Sequence, residues 1–142
     1  MGWYEGIPYT PGILEMWFDE RVKPWYGWLF PETETRVNIG ICYNPDDPED
    51  PKKIFEEVTA RNVGKRWAGA TQVGKFRGAP IVYTRTVGPV ASPGALWVGE
   101  SARLTNAATG EGISYAMRSA FVAKKAIDKN PRPGPALYAD YT

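Results

Sequence analysis

The chain has 142 residues, 43% of them hydrophobic and 23% charged, with a formal net charge of +1, one cysteine and no histidine. That length fits one domain, the near-neutral balance argues against general nucleic-acid binding, and the missing histidine removes Ser-His-Asp and Cys-His catalysis and the usual zinc and haem ligation, so no metal site is expected. A lone cysteine permits no internal disulfide and points to a reducing, cytoplasmic compartment, and no apolar run approaches the ~18–20 residues a membrane helix needs.

In chain order, "GWYEGI" (2–7) and "GILEMWFD" (12–19) read as short strands rich in aromatic and β-favouring residues, with the turn Tyr9-Thr10-Pro11-Gly12 between them. "YGWLFP" (26–31) and "TRVNIGICYN" (35–44) read as a hairpin pair around Glu32-Thr33-Glu34-Thr35. In the second of these, Val37, Ile39 and Ile41 alternate with Asn38, Gly40 and Cys42, the period of a strand with one buried face. Asp50-Pro51 is a helix start, a capping side chain before a proline that has no N–H to lose. Ile54, Phe55 and Val58 supply the apolar stripe of a helix over 51–63, and Gly64 ends it.

"GATQVGKFRG" (69–78) and "PIVYTRTVG" (80–88) read as glycine-punctuated strands or extended segments. "GALWVGE" (94–100) reads as one more strand, apolar throughout and so buried on both faces. A second principal helix is expected over 110–128, with Ile113, Ala116, Met117, Ala120, Ala123 and Ile127 as its apolar stripe. Lys124, Lys125 and Lys129 crowd its C-terminal end, where cations suit the helix dipole. Asn130-Pro131 stops it and leaves 131–142 as a frayed tail. These patterns predict a single α+β domain, 1–142, dominated by an antiparallel sheet with two principal helices.

Charge is unevenly placed. Residues 1–60 carry 12 acidic and 5 basic side chains, and residues 61–142 carry 4 and 12. The basic second half either pairs with the acidic first half or suits an anionic ligand such as a pyrophosphate. Cys42 reads as a small buried strand residue, and Glu111 as a first-turn carboxylate favoured at a helix N-terminus. No residue is singled out as catalytic.

The stretch "VGESARLTNAATGEGISYAMRSAFVAKKAI" (98–127) places many small residues where a strand hands over to a helix. Gly110 and Gly112 have no Cβ, so a ligand can approach the backbone closely. The first N–H groups of the helix carry positive potential. The motif is not the dinucleotide fingerprint, because Tyr115 stands where GxGxxG needs its last glycine.

The same stretch resembles the second flavin-binding segment of FAD-dependent oxidoreductases of the geranylgeranyl reductase type, which share the aromatic hydroxylase fold. Gly99, Gly110, Gly112 and Ile113 match that segment, with Glu100 in place of the family's aspartate, Ala107 in place of its proline and Arg103 where glycine is common. Upstream, "YGWLFPETETRVNIGIC" resembles the family's Tyr-x-Trp-x-Phe-Pro element followed by Gly-x-Gly. Tyr26, Trp28, Phe30, Pro31 and Gly40 match, and Cys42 replaces the second glycine. The likeness runs from "WYEGI" to the end of the last helix.

The resemblance implies the substrate-side half of a flavoprotein fold, with the second flavin-binding segment at 98–128. It implies FAD as cofactor, held in part by Gly99, Glu100, Gly110, Gly112 and Ile113, and reduction of C=C bonds of a prenyl, geranylgeranyl-type chain by FADH2. Tyr26, Trp28, Phe30, Pro31 and Gly40 would then serve an apolar prenyl or lipid substrate, through which the parent enzyme contacts a membrane peripherally. The family's N-terminal strand–GxGxxG–helix unit, which holds the ADP half of FAD, is not found in these residues. The chain therefore reads as a fragment that does not retain FAD, and by itself is inactive. Two other readings stand beside this one. One is an electron-transfer flavoprotein dehydrogenase-like or hydroxylase-type flavoenzyme; the other is a non-catalytic domain that binds an apolar ligand.

Overall fold

The structure is a computed structural model and describes residues 1–82 and 88–142. Two compact units divide the chain, Met1–Ala79 and Pro80–Thr142. The predicted segment 80–88 falls largely outside the described residues.

The first unit is built on a five-stranded antiparallel sheet. Its strands are β1 (Gly2–Glu5), β2 (Glu15–Trp17), β3 (Gly27–Pro31), β4 (Arg36–Ile41) and β5 (Thr71–Val73), in the spatial order β2-β3-β4-β1-β5. The β3–β4 hairpin pairs Gly27 with Ile41 and Pro31 with Val37, around the predicted polar loop. Helix α1 (Pro51–Val63) has the predicted bounds. The Asp50 carboxylate accepts from the Lys52 N–H at 2.9 Å, Pro51 opens the first turn, and the Gly64 N–H closes the end on the Ala60 carbonyl.

One face of the sheet and α1 form the core. Strand alternation points Tyr4, Leu29, Val37 and Ile39 to the same side, where they meet Phe55 and Val63 of α1. Leu29, Val37, Ile39 and Phe55 are wholly inaccessible to solvent. Tyr4 stacks on Phe55 at 5.9 Å between ring centroids, and Phe76 meets Phe55 at 4.9 Å. Val22, Ile54 and Val58 form a second cluster beside Trp17 and Ile41.

Polar clamps fix the connections. Asp19 is buried and caps the 3₁₀ turn Glu20–Val22 through the Arg21 N–H. It also accepts from Arg61 and Asn62 of α1 at 2.8 Å each, which ties the turn to the helix. The Arg21 guanidinium holds Asp47, and holds Glu49 at 2.7 Å, so it gathers the loop that leads into α1. Two strands are shorter than the sequence predicts. Of 12–19 only Glu15–Trp17 pairs, and of 69–78 only Thr71–Val73.

The second unit contains a small hairpin, β6 (Ala91–Ser92) and β7 (Ala95–Leu96), a 3₁₀ turn Gly99–Ala102, and helices α2 (Ile113–Lys129) and α3 (Pro135–Tyr141). Ala91, Ala123, Ala126, Leu137 and Tyr141 form its core. Three predictions for this region are corrected. First, the strand expected over 94–100 is paired only at Ala95–Leu96. Trp97 and Val98 are each 36% exposed, because the chain turns at once into the 3₁₀ segment, with Gly99 at φ +56°.

Second, α2 begins at Ile113, since Gly110 sits at φ +70°, outside the right-handed helical region. Its buried residues are Ser119, Ala123 and Ala126, whereas Ile113 and Met117 of the predicted stripe are 80% and 70% exposed. Third, the expected tail 131–142 contains α3, with Pro135 in its first turn and Leu137 and Tyr141, four apart, buried on one face.

Candidate functional site

The two sets of residues singled out by sequence lie in different units. The first set follows from β3 and its neighbours. Trp28 and Phe30 share one face of β3, opposite the face that meets α1, and Tyr26 continues their row just before the strand. The Tyr26 carbonyl accepts from the Cys42 N–H at 2.9 Å, which extends the β3–β4 pairing to that point. The rings follow one another closely. Tyr26 and Trp28 are 6.3 Å apart, Trp28 and Phe30 6.1 Å, and Phe18 adjoins Tyr26 at 6.4 Å. All three predicted rings are half-buried, while Phe18 is 75% exposed.

Gly40 has a specific part here. It is the cross-strand partner of Trp28, and a Cβ at 40 would lie 2.1 Å from the indole Cζ2. Only glycine lets the indole lie over β4. The indole Nε1 donates to the Asn38 Oδ1 at 2.7 Å, on the same face and two residues along. Pro31 does not join the row: its register partner is the buried Val37, so it ends β3 on the core side of the sheet.

Two contributors escape a reading of the sequence alone. Met16 is the register partner of Trp28 on edge strand β2, half exposed at 51%, so it borders the aromatic row from the other side. Asn38 is the indole's hydrogen-bond partner. The period-two pattern marks each as facing away from its core neighbours, but which ring each meets depends on strand pairing. Cys42 is half-buried, and burial pushes its thiol up from the ordinary value of 9.0, so it stays protonated at neutral pH. A thiol held in that form is no nucleophile.

The second set lies around the start of α2. Gly99 is buried in the 3₁₀ turn, its N–H donates to the Ser119 Oγ at 2.9 Å, and a Cβ there would come within 2.9 Å of the Ala116 Cβ. Close packing against α2 therefore accounts for this glycine within the unit. Glu100 is exposed, and its carboxylate accepts from the Val82 N–H at 3.0 Å. Gly110 closes the loop by donating to the Asn106 carbonyl at 2.8 Å, and the Asn106 side chain accepts from the Ala108 N–H at 2.8 Å.

Gly112 is the N-cap of α2, where no side chain caps the helix. The first N–H groups of a helix have no partner inside it and carry positive potential. With Gly112 lacking a side chain and Ile113 largely exposed, this helix start is open to an electron-rich planar group. The residues present thus fit the carbonyl edge of a flavin. Among the described residues, no group of three or more His, Cys, Asp or Glu could hold a metal ion.

A five-stranded antiparallel sheet backed by one helix, followed by a strand–turn–helix with a glycine-rich, uncapped start, is the fold of flavoprotein reductases and hydroxylases. A crystal structure of a geranylgeranyl bacteriochlorophyll reductase-like protein from Thermoplasma acidophilum matches with a TM-score of 0.84, over 99% of this chain and 36% of that one, at 19% identity. A flavin-dependent brominase matches at 0.71, over 99% of this chain and 38% of the other, at 15% identity.

In sequence, the chain is similar to digeranylgeranylglycerophospholipid reductase 1 of Methanopyrus kandleri, 31% identical over 79% of this chain and 30% of the relative. It is also similar to menaquinone reductase of Mycobacterium tuberculosis, 27% identical over 96% of this chain and 35% of the relative. No protein-family model matches. The likeness to geranylgeranyl reductase-type flavoproteins is thus shared by sequence and fold, and the chain spans about a third of the length of these relatives.

Proposed function

We propose that this chain forms the substrate-side part of a flavin-dependent oxidoreductase that reduces C=C bonds of a prenyl chain. The observation that carries the proposal is the row Tyr26, Trp28, Phe30 on one sheet face, with Gly40 beneath the indole. It belongs to a chain similar to enzymes named for geranylgeranyl substrates. An uninterrupted aromatic surface suits a long hydrocarbon and excludes water from it, at ~25 cal/mol per Å² of apolar surface covered.

The flavin, when bound, supplies the hydride. The chain's own part is positioning and electrostatics. Gly110 and Gly112 leave the backbone accessible, and the N–H groups of Gly112 and Ile113 stabilise negative charge at the start of α2. Tyr26, Trp28 and Phe30 orient the apolar chain. Peripheral membrane contact is part of this reading because a prenyl lipid partitions into membranes; no described helix is long and apolar enough to cross a bilayer.

The test uses the complete gene product, supplied with FAD, a chemical reductant and geranylgeranyl diphosphate, with product mass as the readout. Saturation of the prenyl chain is expected. In Trp28→Ala, substrate binding should weaken by about 1–3 kcal/mol, the transfer value of a large apolar side chain. If Trp28→Ala lowers the melting temperature but leaves the Michaelis constant and turnover unchanged, Trp28 belongs to packing and the wall assignment fails. A hydroxylated product would favour the hydroxylase reading. Prenyl binding with no flavin-dependent turnover would favour a non-catalytic apolar-ligand domain.

A further inference from the structure

We propose that Asn38 is a positioning residue for the prenyl-binding surface, acting by fixing the Trp28 indole. This inference rests on the aromatic-wall reading given above. A tryptophan on a half-exposed strand face can turn about its side-chain bonds. Here the indole is held at two points. Its six-membered ring lies over Gly40, where a Cβ would fall 2.1 Å from Cζ2 and 2.5 Å from Cη2. Its Nε1 donates to the Asn38 Oδ1 at 2.7 Å.

Asn38 stands directly opposite Phe30 on β3 and Trp3 on β1, so its side chain is central to the row of rings. Its neighbours Val37 and Ile39 are wholly buried in the core, and Asn38 itself faces away from it. An amide at this position does nothing for core packing. It satisfies the one polar atom of the indole, so the rest of the ring can meet an apolar ligand with no unpaired N–H beneath that ligand. With the indole turned, the N–H would face the hydrocarbon and the continuous row from Tyr26 to Phe30 would break.

The experiment compares the 142-residue chain with Asn38→Leu, which removes the acceptor at similar volume, and Asn38→Asp, which keeps it. Geranylgeraniol is the probe. The readouts are the Trp28 indole N–H resonance, assigned with Trp28→Phe, its nuclear Overhauser contacts to the Gly40 α-protons, the dissociation constant and the melting temperature. In Asn38→Leu the indole contacts to Gly40 should be lost and geranylgeraniol should bind about fivefold more weakly, the worth of one side-chain hydrogen bond. The melting temperature should hold, and Asn38→Asp should restore both contacts and affinity.

If the unaltered chain binds geranylgeraniol and Asn38→Leu binds it equally well, or keeps its Gly40 contacts, the role of Asn38 is overturned and the wall stands. Failure of Asn38→Asp to restore the unaltered behaviour also overturns it. If the unaltered chain does not bind geranylgeraniol at all, the wall reading falls and this inference falls with it.

Discussion

Single residues in the first unit act chiefly as clamps, and Asp47 is the clearest. It accepts from the Arg21 guanidinium and from the Glu49 N–H, the latter at 3.0 Å. The hydrogen bond from Arg21 is the largest influence on its carboxyl, and the pKa is held down from 3.8 to about 2. A carboxyl whose folded value is depressed contributes stability above its unfolded value and loses it as pH falls through the folded one. Asp47 should therefore support the fold fully above about pH 4 and lose that support as pH falls to about 2. Thermal melts across this window should show the unaltered chain losing more stability than Asp47→Asn does. Parallel curves for the two proteins would remove Asp47 from the account. Glu15 is held low by the same kind of contact, a hydrogen bond from Arg66.

At the scale of elements, α3 depends on very few contacts. It has seven residues, too short to persist alone in water. Leu137 and Tyr141 fix it to Ala123 and Ala126 of α2, Tyr138 accepts from the Gly94 N–H at 2.8 Å, and Tyr141 donates to the Trp97 carbonyl. Leu137→Ala should cost about 2–5 kcal/mol of the stability of the second unit. Amide hydrogen exchange over 135–141 should rise to unprotected rates. Retained protection would mean that the polar contacts hold the helix without Leu137: the tyrosine hydrogen bonds, and those that Asp140 accepts from Lys129 and Asn130.

This helix also shows where sequence is informative. Helix α1 was legible because its signals are local: an aspartate cap, a first-turn proline, three large apolar residues at helical spacing and a terminal glycine. The start of α2 was not, because the left-handed backbone of Gly110 leaves no separate mark in a run of small residues. Its buried face was not either. Large residues dominate a pattern of periodicity, but here the helix is approached closely on its small side, through Ala116, Ser119 and Ala123. In α3 the density of Pro and Gly masked the same first-turn proline signal that located α1. The aromatic row was legible from alternation alone, whereas Met16 and Asn38 required knowledge of which strands pair.

At the scale of the whole molecule, the charge asymmetry of the sequence does not follow the fold. A division at residue 60 separates acidic from basic segments, but the first unit extends to Ala79. It thereby takes in Arg61 and Arg66, which pair with Asp19 and Glu15. Met1–Ala79 has 12 acidic and 10 basic residues, and Pro80–Thr142 has 4 and 7, so the second unit carries an excess of only +3. Five of the twelve basic residues of 61–142 thus belong to the first unit, and long-range steering of an anionic ligand by the second is correspondingly modest. The first unit has its own core and clamps, so Met1–Ala79 produced alone should fold. A cooperative melt and dispersed amide resonances would show it, and a chain lacking both would mean that the core of Phe55 and Ile39 is insufficient without residues 80–142.

The junction at Gly99 bears on how this molecule can change over time. Its N–H is taken by Ser119, and the space its side chain would fill is taken by Ala116. Positions 99, 116 and 119 are therefore not free to vary one at a time. An alanine at 99 would need a smaller partner at 116 as well as tolerance of a left-handed backbone, and losing the hydroxyl at 119 would leave a buried N–H unpaired. Variation at the strand-to-helix handover must arrive in matched sets, so the geometry of the helix start drifts more slowly than the surface around it.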